Sequence, residues 1–331
     1  MLFRSGDIVL TSPVVRCLKQ QVEGSEVHFV TKHRFSSLVS SNPYIDKVHL
    51  FSGNIKDLVV RLQSENFDYV IDLHKNFRSN RIRNLLKKPS YSFQKLNFQK
   101  FLLVNLKINK MPDRHIVDRY LKTLQTFNVE NDGRGLDFFI PEKEAFISSN
   151  LPEQFRNGYM AFVIAGTWNT KKLPASKVIE ICNLVNYPVV LLGGKNEHEA
   201  GDHIQLNCNG NVLNLAGKLS LTQSASLVRD ANLVLSNDTG LMHIAAAYRK
   251  KILSFWGNTI PLFGMSPYLP DPASEMMEVQ GLKCRPCSKL GYKKCPKTHF
   301  RCMMNLNVEK AVEWINRQLP HSHNNDFHQE Q

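Results

Sequence analysis

The sequence predicts an α/β protein made of two doubly wound, parallel-sheet domains that face a central cleft. Three observations carry this expectation. Strand-like apolar runs alternate with helix-period segments. The alternation occurs twice, on either side of residues 140–158. The polar clusters fall just after strands, where ligands sit in open α/β sheets. A length of 331 residues suits two domains of ordinary size.

The first domain is expected over residues 1–150. "DIVLTSPVVRCLKQQ" (7–21) reads as a turn followed by a helix, with Val14, Val15, Leu18 and Val22 on one face. "EVHFVT" (26–31) and "DKVHLF" (46–51) are strands, and "IKDLVVRLQSEN" (55–66) is a helix. "DYVIDLH" (68–74) is an apolar strand that ends in polar groups. A first strand should precede Gly6 and Asp7, and a strand takes about five residues. Only "MLFRS" stands there, so that strand is expected to be truncated.

The second domain is expected over 151–320. "GYMAFVIAG" (158–166), "YPVVLLGG" (187–194), "NVLNLAG" (211–217), "NLVLSND" (232–238) and "KILSFWG" (251–257) read as strands. Helices at 174–185, 197–208, 221–231 and 239–249 separate them. "NVEKAVEWINRQL" (307–319) is an amphipathic closing helix, and 321–331 is a polar tail expected to be disordered.

Composition narrows the classes. With 42% apolar and 21% charged residues the chain has an ordinary globular make-up. It has neither an apolar run of about 18 residues nor a secretory signal, so a cytoplasmic location is expected, with its seven cysteines reduced or metal-bound. The net charge is +13. From Leu73 to Pro112 there are ten Lys/Arg and no acid, interleaved with Phe77, Tyr91, Phe93, Phe98 and Phe101. Such a field favours anionic partners (phosphates, nucleic acid or an acidic membrane surface), with a merely solvated face as the alternative.

Five stretches carry candidate chemistry. In "RSGDIVLTSP", Asp7 is either a general base for a hydroxyl nucleophile or a helix cap. In "AGTWNTKKLP", Lys171 and Lys172 near a helix start suit a leaving phosphate, or form a solvated loop. This is no P-loop. In "LLGGKNEHEA", Glu197 and Glu199 are ribose-binding carboxylates or favourable charges at a helix start. No G-x-G-x-x-G follows any strand, which argues against a dinucleotide-dependent oxidoreductase. In "SNDTGLMHIAAA", Thr239 and Gly240 open a helix after Asn237 and Asp238. The free backbone N–H groups there form an anion site, and His243 lies on the same face. Finally Cys284, Cys287, Cys295 and Cys302 follow the spacing C-x2-C-x7-C-x6-C, which suggests structural zinc, with His299 as a substitute ligand. Free thiols or a disulfide pair are the alternatives. Cys17, Cys182 and Cys208 read as structural.

Six segments in series, "GDIVLTSPVVRCLK", "YVIDLHKNFRS", "HIVDRYL", "LLGGKNEHEA", "LSNDTGLMHIAAA" and "CRPCSKLGYKKCPKTHFRCM", resemble the bacterial heptosyltransferases of glycosyltransferase family 9. The resemblance implies a GT-B fold, with an acceptor-binding first domain and a donor-binding second one. It implies inverting, metal-independent transfer of a heptose or related sugar, from ADP-heptose or a similar nucleotide sugar, to the lipopolysaccharide inner core. It puts the base on Asp7 and diphosphate contacts on Thr167 and Lys171. It puts ribose on Glu197 or Glu199, and donor contacts on Asn237, Asp238, Thr239, Gly240 and His243. Gly166 and Trp168 stand where the family usually has other loop residues. The basic segment, with Lys75, Asn76, Arg78 and Arg81, would face an anionic glycolipid acceptor, with peripheral contact to the inner-membrane leaflet. No cofactor is expected for catalysis and no nucleic acid as partner. The competing readings are a non-catalytic nucleotide-sugar-binding relative and a basic, zinc-containing nucleic-acid-binding protein. Recognised helix-turn-helix, RNA-recognition or finger motifs for the latter are absent.

Overall fold

The computed structural model describes residues 5–319. The expected tail at 321–331, and most of the "MLFRS" segment, lie outside the described residues.

Among the described residues the N-terminal half contains four short strands. β1 (His28–Lys32) and β2 (Lys47–Phe51) pair in parallel. β3 (Val70–Asp72) and β4 (Ser90–Ser92) form a second parallel pair. The one sheet expected here is therefore two pieces, and no strand among the described residues bridges β1 and β3. A cavity of about 730 Å³ lies between them, lined by Val30, Phe51, Leu62, Phe67, Ile71 and Ile82. The expected turn at Gly6–Asp7 is instead a short helix, Ser5–Val9, and a second helix spans Ser12–Gln21. Pro13 sits in the first turn of the second helix, where its missing N–H costs nothing. Thr11 Oγ1 donates to the Ile8 carbonyl at 2.7 Å and Ser12 Oγ to that of Val9 at 2.8 Å, which fixes the break between the two helices.

The C-terminal half is one all-parallel sheet of six strands: β5 (Met160–Val163), β6 (Val189–Leu192), β7 (Val212–Asn214), β8 (Leu233–Asn237), β9 (Ile252–Trp256) and β10 (Glu275–Glu278). Their order across the sheet is β10-β9-β8-β5-β6-β7, the doubly wound arrangement in which the winding reverses between β5 and β8. Every residue of β5, β6, β8 and β9 is buried. Helices cover both faces of such a sheet, so its strands read as continuous apolar runs and were legible. β10 was not, because "EMME" is a half-exposed edge strand with no apolar run. The helix Leu221–Asp230 opens with a reciprocal cap between Ser220 and Gln223. The closing helix, Val308–Gln318, buries Trp314, whose indole N–H donates to the Ala273 carbonyl at 2.9 Å.

The two halves are tightly joined. One apolar cluster runs from Ile8, Leu10 and Val14 through Val117 and Leu124 to Leu241, Met242 and Ala245. The "HIVDRYL" segment forms the helix Ile116–Leu121 and latches onto the loop after β9. Ile116 N donates to the Gly264 carbonyl at 2.8 Å, His115 Nε2 lies 2.9 Å from the Ser266 carbonyl, and Tyr268 OH donates to Asp118 at 2.8 Å.

Candidate active site at the switch of the C-terminal sheet

The site assembles where the sheet reverses its winding. β5 and β8 are neighbours in space but diverge into different helices beyond their carboxyl ends, which opens a crevice there. The loop after β5 brings Lys171 and the end of β8 brings Asp238. Their side chains form an ion pair, and Thr259 Oγ1, from beyond β9, donates to the same Asp238 oxygen at 3.1 Å. Thr167 is exposed on the β5 loop. Thr239 caps the helix Gly240–Ala247 with extended backbone and no side-chain cap bond, so the first-turn N–H groups have no side chain satisfying them there.

Asn237 plays another part than the one expected. It is buried; its Oδ1 accepts from Leu173 N at 2.9 Å, and its amide donates to the Val163 and Ala165 carbonyls at 3.3 and 3.0 Å. Its hydrogen bonds are spent on holding the β5 loop to β8, so it positions Lys171 rather than facing a donor. The structure also separates the two glutamates. Glu197 is buried, ion-paired to Lys172 Nζ at 2.7 Å and accepting from Gly194 N at 2.9 Å, whereas Glu199 is exposed on the next helix.

Across the crevice, the helix carrying Asp7 rests on the helix that starts at Gly240. A Cβ on Gly6 would lie 2.8 Å from His243 Cδ2 and 3.3 Å from Gly240 Cα, and one on Gly240 would lie 3.1 Å from Gly6 N. Only paired glycines permit this approach. His243 is thereby covered: the residue is 2% exposed, and its Nδ1 has no hydrogen-bond partner among the described residues. It lies beneath Gly6, the packed arrangement that is the alternative to an exposed phosphate contact. Burial holds its pKa down to about 4.

That shift has a consequence for stability. In the unfolded chain His243 takes up a proton near pH 6.5, while in the folded protein it stays neutral to about 4. Stability is therefore full above 6.5 and falls by about 1.4 kcal/mol per pH unit below it, until pH 4. Burial also holds His74 and His115 down to about 4, so they add to the fall over the same range. Chemical denaturation from pH 7 to pH 4.5 is expected to show the combined slope, and His243→Gln to reduce it by about 1.4 kcal/mol per pH unit.

Several residues near Asp7 carried no sequence signal. Its charge acts on Lys95, Lys100 and Tyr120. Burial pushes Lys100 down to about 8, and its ammonium lies 5.8 Å from the centre of the Phe263 ring. Asn258, just past β9, is 1% exposed with both side-chain polar atoms unpartnered among the described residues. A lysine inside a basic run and an asparagine after a strand are too common to stand out in a sequence.

The expected acceptor residues lie in the N-terminal half, after β3. Asn76 caps the helix Phe77–Leu86 by accepting from Ser79 N at 2.9 Å. Lys75, Arg78 and Arg81 are exposed, and neither arginine is in an ion pair among the described residues. Exposed Phe77, Phe98, Phe101, Leu106 and Ile108 share this basic segment.

The cysteine expectation needs correction. Cys284, Cys287, Cys295 and Cys302 are free thiols, and Cys284 Sγ lies 3.9 Å from His299 Nε2. The sulfurs do not converge within 4.8 Å of one another, so this arrangement does not fit a zinc ion. The segment braces the β5 loop instead. Gly291 lies against the Trp168 ring, and Tyr292 exchanges hydrogen bonds with Thr170, accepting from its N–H at 3.2 Å and donating to its Oγ1 at 2.8 Å.

Residues 55–298 match glycosyltransferase family 9 (heptosyltransferase). The chain is 25% identical over 332 aligned residues to lipooligosaccharide heptosyltransferase 2 of Campylobacter jejuni, covering 96% of each protein. Its fold is shared with E. coli ADP-heptose lps heptosyltransferase II, at a TM-score of 0.71 and 18% identity over 95% of this chain and 96% of that one. It is also shared with the E. coli heptosyltransferase WaaC solved with ADP, at 0.67 and 20% over 96% and 98%. The architecture is the GT-B fold of two α/β halves around one cleft.

Proposed function

This chain belongs to glycosyltransferase family 9, the heptosyltransferases, and from that premise we propose that it moves a heptose from ADP-heptose to a lipopolysaccharide inner-core acceptor, with inversion and without a catalytic metal. The observation that carries the proposal is the contact of Gly6 with Gly240 and His243, because it sets the Asp7 helix beside the anion-binding helix start.

The mechanism follows from those groups. An acceptor hydroxyl is a weak nucleophile, and Asp7 takes its proton as the bond to the anomeric carbon forms. Attack on the face opposite the diphosphate inverts that carbon. Negative charge grows on the leaving diphosphate, where Lys171 and the N–H groups of the helix start at Thr239 and Gly240 stabilise it. Asp238 keeps Lys171 aimed at this point. Thr167 contributes a hydroxyl to the diphosphate. Glu197, at the carboxyl edge beside β6, accepts from the ribose hydroxyls; its orientation by Lys172 and Gly194 favours it over Glu199. Lys75, Arg78 and Arg81 meet the anionic acceptor. The exposed aromatic and aliphatic side chains among these cations support contact with the cytoplasmic leaflet. The division of labour is that of an acceptor-binding half over 1–150 and a donor-binding half over 151–320.

Incubation of the full chain with ADP-heptose and heptose-deficient lipopolysaccharide is expected to release ADP and to increase the acceptor by the mass of one heptose. NMR of the product should show the inverted anomeric configuration. Failure to release ADP with this acceptor, or with a core already carrying one heptose, rejects the reading.

A further inference from the structure

Away from the crevice, two imidazoles and a carboxylate converge. His28 opens β1, His49 lies in the middle of β2, and Glu65 follows the helix Ile55–Gln63. His28 Nδ1 is 3.0 Å from His49 Nε2 and 3.9 Å from Glu65 Oε2. One ligand atom from each of the three lies within 4.8 Å of the others, which no other group of three or more His, Cys, Asp or Glu among the described residues achieves. His28 is at the amino end of its strand, so this cluster is at the opposite edge from the crevice, which lies beyond carboxyl ends.

We propose that His28, His49 and Glu65 form a structural site for a divalent transition metal, zinc by the chemistry of the set, with water in the fourth position. Zinc takes imidazole nitrogen and carboxylate oxygen at about 2.0–2.2 Å, so a tetrahedral ion needs neighbouring ligand atoms about 3.3 Å apart. The two observed separations bracket that value. The surroundings are those of a built site. His28 Nε2–H donates to Glu26 Oε1 at 2.8 Å, which leaves the Nδ1 lone pair facing His49. A carboxylate behind a ligating histidine fixes the tautomer and ring orientation in this way. Phe67 meets both rings edge-on, at 5.0 Å and 89° for His28 and 6.3 Å and 80° for His49. Lys47 Nζ holds Glu65 Oε1 at 2.5 Å, which leaves Oε2 towards His28. The ion replaces the proton between the two rings; that proton moves to His49 Nδ1, so binding is charge-neutral in protons.

The site has a physical purpose. It ties β1 and β2 to the segment that leads into β3. The inference is independent of the proposed reaction. It is tested on the full chain, stripped by chelator and titrated with Co(II). One equivalent is expected, with the visible bands of a tetrahedral nitrogen–oxygen site and without the near-ultraviolet thiolate absorption that Cys284, Cys287, Cys295 or Cys302 would give. His28→Gln and Glu65→Gln should each abolish the bands while far-ultraviolet circular dichroism is unchanged. Glu26→Gln, outside the ligand set, should weaken binding by about 10–100-fold. Absent bands, thiolate absorption, or bands that survive both ligand substitutions would overturn the assignment.

Discussion

Asp7→Asn is expected to lower turnover by about 10²–10⁴-fold, the usual contribution of a positioned general base, while donor affinity stays within twofold. The substitution keeps the size and helix position of the side chain but removes its capacity to accept the acceptor's proton. Donor affinity is spared because the diphosphate is held from the other wall, by Lys171 and the helix that starts at Gly240. A steady-state kcat measured beside a calorimetric titration with ADP separates the two effects. Turnover that survives intact would remove Asp7 from the role of base. Turnover lost together with ADP affinity would mean that the Gly6–Gly240 contact, and not proton transfer, was damaged.

Arg16→Met is expected to cost about 3–5 kcal/mol, because removing one partner of a buried ion pair strands the others. That is a large share of the 5–15 kcal/mol that holds a typical domain together. Arg16 is fully buried. Its Nε and Nη2 donate to Asp132 at 2.7 and 2.8 Å, Nη2 also to the Gly135 carbonyl at 2.9 Å, and Nη1 to Asp137. Burial works against the guanidinium's charge, but the two carboxylates outweigh it and raise its pKa. Arg16 in turn holds Asp132 at about 2. The folded pKa lies below the ordinary 3.8, so this stabilisation is present above 3.8 and is lost as the pH falls towards 2. Urea unfolding at pH 7 should show the loss in the variant, and the acid-induced fall between pH 4 and 2 should flatten. A change under 1 kcal/mol would show that the surroundings relax around the stranded aspartates.

How much of this was legible follows from the kind of signal each residue sends. β5, β6, β8 and β9 announce themselves because helices bury both faces, so each is an unbroken apolar run between polar turns. The helix at Gly240 announces itself because small residues follow Asp238 and Thr239. β4 and β10 do not, since neither "SYS" nor the half-exposed "EMME" contains an apolar run to read. At the site, Asp7, Lys171 and Asp238 stand in turns where their types are informative. Lys100 and Asn258 become notable only through what burial does to them, and burial is a property of the packed molecule.

Periodicity and turn chemistry are local, so the α/β class, the double winding of the C-terminal sheet and the crevice edge on which the polar turns gather can be read from the residues alone. Only packing settles that Asn237 clamps a loop, that His243 lies covered by Gly6, that Gly291 and Tyr292 of the cysteine-rich segment brace Trp168 and Thr170, and that His28, His49 and Glu65 meet. Each of those outcomes depends on distances between residues far apart in the chain, and no local pattern encodes such distances.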